Sequence, residues 1–263
     1  MRKGSKKGKG GQSDDASLHL RWRMAALGFV VRLFLVWIGV DEWVSNRPEL
    51  IPASHSFKDI QEGLFLKSRG LSPYAGDSFH HPPLLLEFYA VVMSLPGAKS
   101  YAKYYLGFLS ALIDTCIAWT LQAIARNVTI ENDTSNYSKE DYEQSQDYVT
   151  EHLMEKEHRP SKKIPGFLMD ETLPKSVFCA YLFNPISVLT SASPSTKPLS
   201  TLFVAATLLF AQEQRLVATS FCLALSTYLS LHPAALLPSC AALLAPRPPP
   251  GSGGGGGGGR GGL

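Results

Sequence analysis

What most constrains this chain is how its apolar residues are grouped. Between residues 24 and 245 they come in long runs separated by Pro, Gly and short polar clusters, which is the composition of membrane segments and not of a soluble core. The runs fall at 24–40, 84–95, 104–125, 176–190, 199–211 and 216–244, and they carry three charged residues, Arg32, Glu87 and Asp114. This predicts an all-α chain, a polytopic transmembrane helix bundle with five to seven apolar segments. A charge inside such a segment is expensive in hydrocarbon and turns toward the bundle interior, where it finds a partner. The spacing therefore suggests an Arg32–Asp114 or an Arg32–Glu87 pair, and leaves open whether these residues support the bundle or touch a ligand.

Residues 1–23 carry seven Lys/Arg against two Asp and are otherwise rich in Gly and Ser. They cannot bury a core and are expected to be a disordered cytosolic tail. The basic stretch runs straight into the 24–40 segment, and no small-x-small cleavage site precedes Asp41-Glu42-Trp43. The segment reads as an uncleaved signal anchor with the N-terminus cytosolic. The net charge of +3 is too small to point to nucleic acid.

Within 41–82, Phe57, Ile60, Leu64 and Leu71 recur at about helical spacing while Lys58, Asp59, Gln61 and Glu62 fall on other faces. This predicts a short amphipathic helix in the membrane interface, near 55–69, ended by Gly70 and Ser72-Pro73. Ser72 to Gly76 reads as a turn, and Phe79-His80-His81-Pro82-Pro83 as a rigid entry into the next apolar run. Residues 127–173 are acidic, with eleven Asp/Glu against five Lys/Arg, and show no apolar periodicity, so a polar loop is expected there. It holds three N-glycosylation patterns, at Asn127, Asn132 and Asn136, and its side of the membrane stays open. The segment 216–244 suits a helix, a break at His232-Pro233, and a second piece. Residues 246–263 are a Pro/Gly tail that suggests a gene-model artefact or premature end.

Chemistry-bearing motifs are few. The four cysteines lie in apolar runs without ligand spacing and read as small packing residues. His80-His81 near Glu87 could suggest a metal, but adjacent residues in an extended segment point to opposite sides. A polar loop at the membrane surface is the better reading. Asp41-Glu42 could act as a base or hold a metal, yet reads more simply as a solvated helix end. There is no phosphate-binding Gly loop in a strand–helix context, no G-x-S-x-G and no H-E-x-x-H. No catalytic residue, cofactor or metal ion is assigned.

Several stretches nevertheless resemble one family in order and spacing. They are Arg32-Leu33-Phe34-Leu35, Ser45-Asn46-Arg47-Pro48-Glu49-Leu50, Glu62-Gly63, Ser72-Pro73-Tyr74-Ala75-Gly76, and His80 followed by Pro83-Leu84-Leu85-Leu86. The likeness resumes at Tyr181-Leu182-Phe183-Asn184-Pro185, Ser191-Ala192-Ser193-Pro194-Ser195 and Thr227-Tyr228-Leu229-Ser230-Leu231-His232-Pro233. Together these resemble the phosphatidylinositol glycan class U family, across roughly 24–245, with 127–173 poorly matched and His232 standing where the family has Tyr.

The resemblance implies a multi-pass protein of the endoplasmic reticulum membrane, built like the membrane-embedded (GT-C type) glycosyltransferases. It further implies a non-catalytic subunit of the GPI transamidase complex that helps bind the GPI glycolipid beside the cysteine-protease subunit. Its partners would be the other subunits, the glycolipid and membrane lipid. Arg32, Tyr74, His80, Glu87, Asp114 and Asn184 are the candidate lipid or partner contacts. The related GPI mannosyltransferases, which use a dolichol-phosphate sugar, are the alternative. They carry a D-x-D pair before the interfacial helix, where this chain has Glu49-Leu50-Ile51-Pro52-Ala53-Ser54. The resemblance thus implies a transferase-like scaffold without transferase chemistry. Family members are much longer than this chain.

Overall fold

The computed structural model of the chain describes residues 10–47, 57–76, 79–98, 100–150 and 172–245, with the backbone course alone for 10–18, 45 and 131–150. The described residues are helical and turn, with no strand among them. Helix α1 covers Gly10–Trp37. It therefore begins well inside the stretch expected to be disordered. From Asp14 to Leu27 there is no Gly or Pro, and Ala, Leu, Arg and Met are good helix formers. Once the apolar 24–37 segment has nucleated the helix, extending it backwards is inexpensive. Gly39 ends it in the left-handed conformation, φ 85°. The short α2, Val40–Ser45, follows.

Helix α3, Phe57–Ser68, matches the expected amphipathic helix. Phe57 and Ile60 are buried and Leu64 packs on the core, while Lys58 and Gln61 are exposed. Leu71 lies beyond the helix and is exposed, so it is not part of that face. Gly70, φ 74°, closes α3, with Gly70 N–H donating to Lys67 O and Leu71 N–H to Leu66 O, both at 3.0 Å. That pair of bonds is a Schellman ending. Pro73–Ala75 form a 3-10 turn in which the Ser72 hydroxyl accepts from Tyr74 N–H. Helix α4 is Pro83–Met93. At about 1.5 Å per residue it is too short to cross a bilayer.

Helix α5, Ala102–Thr150, contains the expected 104–125 segment, and its Ala102–Ile130 portion is long and apolar enough to cross a membrane. It then continues as helix to Thr150, which corrects the loop expected from residue 127. Between Gly107 and Thr150 no Gly or Pro interrupts it, and absence of an apolar stripe does not stop an established helix. The rest of the expected loop, 151–171, lies outside the described residues.

The 176–190 run is two helices, α6 (Leu173–Leu182) and α7 (Pro185–Ala192), divided at Asn184-Pro185. Then come α8 (Lys197–Gln212), α9 (Leu216–Leu229), a 3-10 segment His232–Leu236, and α10 (Leu237–Leu244). The helix, break and second piece expected over 216–244 are all present. At the α8–α9 turn Gln214 takes a positive φ of 59°, and its side-chain amide donates to Leu243 O at 2.6 Å, capping α10. That bond ties the turn to the last described helix of the chain.

Side-chain pairs fix the directions. Trp22 meets Trp119 at 5.3 Å between ring centroids, Arg32 meets Asp114, and Val36 fills the space over Gly107. As α1 numbers rise, α5 numbers fall, so the two helices run antiparallel. Phe178 packs on Trp119 and the Tyr181 hydroxyl reaches Asp114, so α6 runs parallel to α1. The Tyr228 hydroxyl, at the end of α9, accepts from Leu84 N–H at 3.3 Å, and Gln214 binds the end of α10. All elements therefore share two ends. One holds α2, α3, the 72–83 turn, and the starts of α5 and α8; the other holds the start of α1, the polar part of α5 and the α8–α9 turn.

Candidate functional site

At the centre of the molecule Arg32 is completely buried. Its Nε donates to Asp114 Oδ2 at 3.1 Å and to Ser191 Oγ at 3.0 Å. Its Nη1 donates to two backbone carbonyls, Gly28 O at 3.1 Å and Leu182 O at 3.0 Å. The Tyr181 hydroxyl donates to the other carboxylate oxygen of Asp114 at 3.2 Å. One guanidinium thus ties α1, α5, α6 and α7. Of the two pairings the sequence allowed, this is Arg32–Asp114. Glu87 instead lies on the surface of α4 and pairs with Lys67 at 2.6 Å, so neither an Arg32–Glu87 pair nor an inward-facing Glu87 is present.

The reason Arg32 is needed there is local. Pro185 has no N–H, and Ile186 N–H is taken by the Asn184 side chain at 2.9 Å, so α6 cannot continue into α7. That leaves the carbonyls of Tyr181 and Leu182 without their helical donors. Tyr181 O accepts from Ser187 Oγ at 2.9 Å and Asn184 N–H at 3.3 Å, and Leu182 O accepts from Arg32. A buried carbonyl left open would cost about 1–3 kcal/mol. Gly28 lets this happen, because a Cβ there would lie 2.5 Å from Leu182 Cγ.

At the end that carries α3, the 72–83 turn folds over a second core of Phe57, Ile60, Phe79, Leu85, Leu86 and Tyr89. The Tyr74 hydroxyl donates to His81 O at 3.0 Å, and its ring lies 5.2 Å from that of Phe79. His81 is buried and His80 exposed, as expected for neighbours in an extended segment. Burial holds the His81 imidazole below the usual histidine range, opposed by Asp59 and aided by His80. Desolvation, with a smaller contribution from Tyr228, raises Tyr74 above the usual phenol value.

Two cavities complete the picture. One, about 410 Å³, is bordered by Asp41, Glu42, Lys58, Gln61, Lys103 and Pro194, at the same end as the 72–83 turn. Asp41 is buried there, not a solvated helix end as expected, because α2 folds back beside α7. The other, about 800 Å³, is an apolar groove between α9 and α10, lined by Leu216, Leu223, Tyr228, Leu237, Cys240 and Leu244. Among the cysteines, Cys222 and Cys240 are buried packers, whereas Cys116 is exposed on α5.

The chain matches the family described as GPI transamidase subunit PIG-U over residues 26–251. It belongs to the PIG-U family. Curated relatives include the GPI-anchor transamidase component PIGU of Cricetulus griseus, 25% identical over 206 residues, which is 78% of this chain and 42% of that protein. The Homo sapiens protein of the same description is 25% identical over 203 residues, 77% of this chain and 42% of the relative. The GPI transamidase component GAB1 homolog of Schizosaccharomyces pombe is 33% identical over 69 residues, 24% of this chain and 17% of that protein. The chain thus spans about two fifths of the length of the PIGU proteins it matches.

Within this PIG-U chain the six residues singled out from the sequence separate into three groups. Arg32 and Asp114 meet in the buried node. Tyr74, His80 and Glu87 lie on the 72–83 turn and α4, and all three are exposed. Asn184 is exposed and caps α7. The sequence reasoning did not pick Ser191, Tyr181 or Gly28 as parts of the node. Ser191 and Tyr181 open two of the stretches that carried the resemblance, but nothing in their spacing pointed at Arg32.

Proposed function

We propose that this chain acts as a non-catalytic subunit of the GPI transamidase complex, helping to bind the GPI glycolipid and to assemble the complex for attachment of anchors to proteins. It sits in the endoplasmic reticulum membrane as a multi-pass bundle on the GT-C type scaffold, with its N-terminus cytosolic. Its partners are the other transamidase subunits, the cysteine protease among them, together with the glycolipid and surrounding lipid. What carries this reading is the PIG-U family match, which includes the node, the 72–83 turn and the α9–α10 groove.

In this reading the residues divide by exposure. Arg32 and Asp114 are fully enclosed, so they hold four helices at fixed crossings and do not contact the glycolipid directly. Tyr74 and His80 form the contact surface for partner subunits and head group, with Glu87 beside it, while Asn184, exposed at the α6–α7 break, is a separate lipid contact. Of the breaks expected to border a groove, at Pro185, Pro194 and Pro233, the last adjoins the apolar α9–α10 groove, which is open to acyl chains, and Pro194 borders the smaller cavity. The bonds are made and broken by the protease subunit, and this chain contributes binding and orientation.

A mild-detergent pull-down of the tagged chain from microsomes, followed by mass spectrometry, tests the reading. Recovery of transamidase subunits with the wild type, and their reduced recovery with Tyr74→Ala or His80→Ala, is the expected result. A stable membrane protein that brings down no such subunit would defeat it. Mannose transfer lost in Asp41→Asn would favour the mannosyltransferase instead.

A further inference from the structure

We infer that the polar extension of α5, residues 127–150, lies on the cytosolic side together with the basic amino-terminal segment, and that its three N-glycosylation signals are silent. The inference rests on the multi-pass reading above and adds the sidedness that the sequence left open.

The argument is geometric. The Trp22–Trp119, Arg32–Asp114 and Val36–Gly107 contacts set α1 and α5 antiparallel, so the start of α1 and residues beyond about 125 in α5 emerge at one end. That end also receives the start of α6 and the α8–α9 turn, since Phe178 packs on Trp119 and Gln214 caps α10. Read from there, α1 goes out, α5 returns, α6 and α7 together go out as one broken pass, and α8 returns. Helix α4 does not change the count, being too short to cross. Seven Lys/Arg precede the first pass, and Arg126, Lys139, Lys175 and Arg215 fall at the same end, eleven in all against six among the described residues of the other end, Arg47, Lys58, Lys67, Arg69, Lys103 and Lys197. Positive charge beside membrane passes marks the cytosolic face, and Asp and Glu weigh little in that rule, so the acidity of 127–150 does not oppose it.

The first signal, Asn127-Val128-Thr129, has a second obstacle, because it lies inside the apolar Ala102–Ile130 portion of α5. Its Thr129 is buried and donates its hydroxyl to Ala125 O at 3.0 Å within the helix. The other two, at Asn132 and Asn136, lie on the same uninterrupted helix. At about 1.5 Å per residue, the stretch after Ile130 carries α5 on the order of 30 Å beyond its apolar part.

Sealed microsomes containing the full chain decide the matter with two readouts. Protease added outside should cut within 131–171 without detergent, and should cut near Lys67 and Arg69 only after the vesicles are opened. Glycosidase should leave the wild-type mobility unchanged. Gly76→Asn, which creates an Asn-Asp-Ser signal in the turn after α3, should acquire a glycosidase-sensitive shift. Protection of 131–171 in sealed vesicles would overturn the inference. So would a wild-type glycan removed by Asn132→Gln with Asn136→Gln. Cleavage at both ends without detergent, with the chain released by alkaline carbonate, would overturn the multi-pass reading and this inference together. None of these results depends on whether transamidase subunits co-purify, so the two proposals fail separately.

Discussion

Replacing Asp114 by Leu removes the countercharge of a guanidinium that is 0% exposed. Arg32 keeps its bonds to Ser191, Gly28 O and Leu182 O but loses the carboxylate, and the Tyr181 hydroxyl loses its acceptor. Breaking a buried ion pair from one side costs about 3–5 kcal/mol, since a charge is left uncompensated. At about 2–4 °C per kcal/mol for a chain of this size, the midpoint of thermal unfolding in detergent should fall by on the order of 10 °C. Trp119, packed on Trp22 and Phe178, supplies the fluorescence signal. Arg32→Met should destabilise similarly. The double variant Arg32→Met with Asp114→Leu should lose only about 1–3 kcal/mol, chiefly for the Leu182 carbonyl left open. The double should therefore be more stable than either single. If its loss equals the sum of the two single losses, the pair is not coupled and the central role given to it here is wrong.

Other substitutions probe neighbouring claims. Gly28→Ala should lower the stability by about 1–3 kcal/mol through its clash with Leu182, and Leu182→Ala in the same chain should relieve that added strain. Asn184→Ala should cost about 1 kcal/mol by uncapping α7, read in the same melt. Glu87→Gln, which breaks an exposed pair with Lys67, should change stability by less than about 1 kcal/mol, the effect vanishing in high salt. His81 has a folded-state pKa below its ordinary 6.5, so the unfolded chain takes up the proton first. Its contribution is therefore complete above that value and is lost as pH falls through the folded pKa. His81→Gln should flatten the acid limb of a stability-against-pH curve.

Much of this architecture could be read from the residues, and the errors have a common physical source. The amphipathic α3 and the break at His232-Pro233 follow from rules about single helices, one apolar face and a proline stop, whereas a buried charge seeking its opposite allowed Arg32 either Asp114 or Glu87, of which the fold takes the first. Apolar patterning failed where helix persists without it. Residues 10–23 and 127–150 lack an apolar stripe, yet both extend helices nucleated in neighbouring apolar segments, with no breaker to end them. The rule about intramembrane charges failed at Glu87 because α4 is short and its outer face meets Lys67 instead of a bundle interior. Asp41 was misjudged because its burial depends on how α2 folds back, which no local pattern encodes. Family resemblance marked Ser191 and Tyr181 but could not say that they converge on one guanidinium.

The interruption between α6 and α7 has a consequence for how the molecule is put together. A continuous helix satisfies its own interior backbone as it forms, but this one cannot. Its Leu182 carbonyl is answered by a side chain made 150 residues earlier in the chain. The α6–α7 unit is therefore incomplete until α1 lies against it, and neither can shift without the other. The junction is a borrowed one: α1 supplies the donor that α6 lacks, so any change that loosens the first helix opens the backbone of the sixth as well.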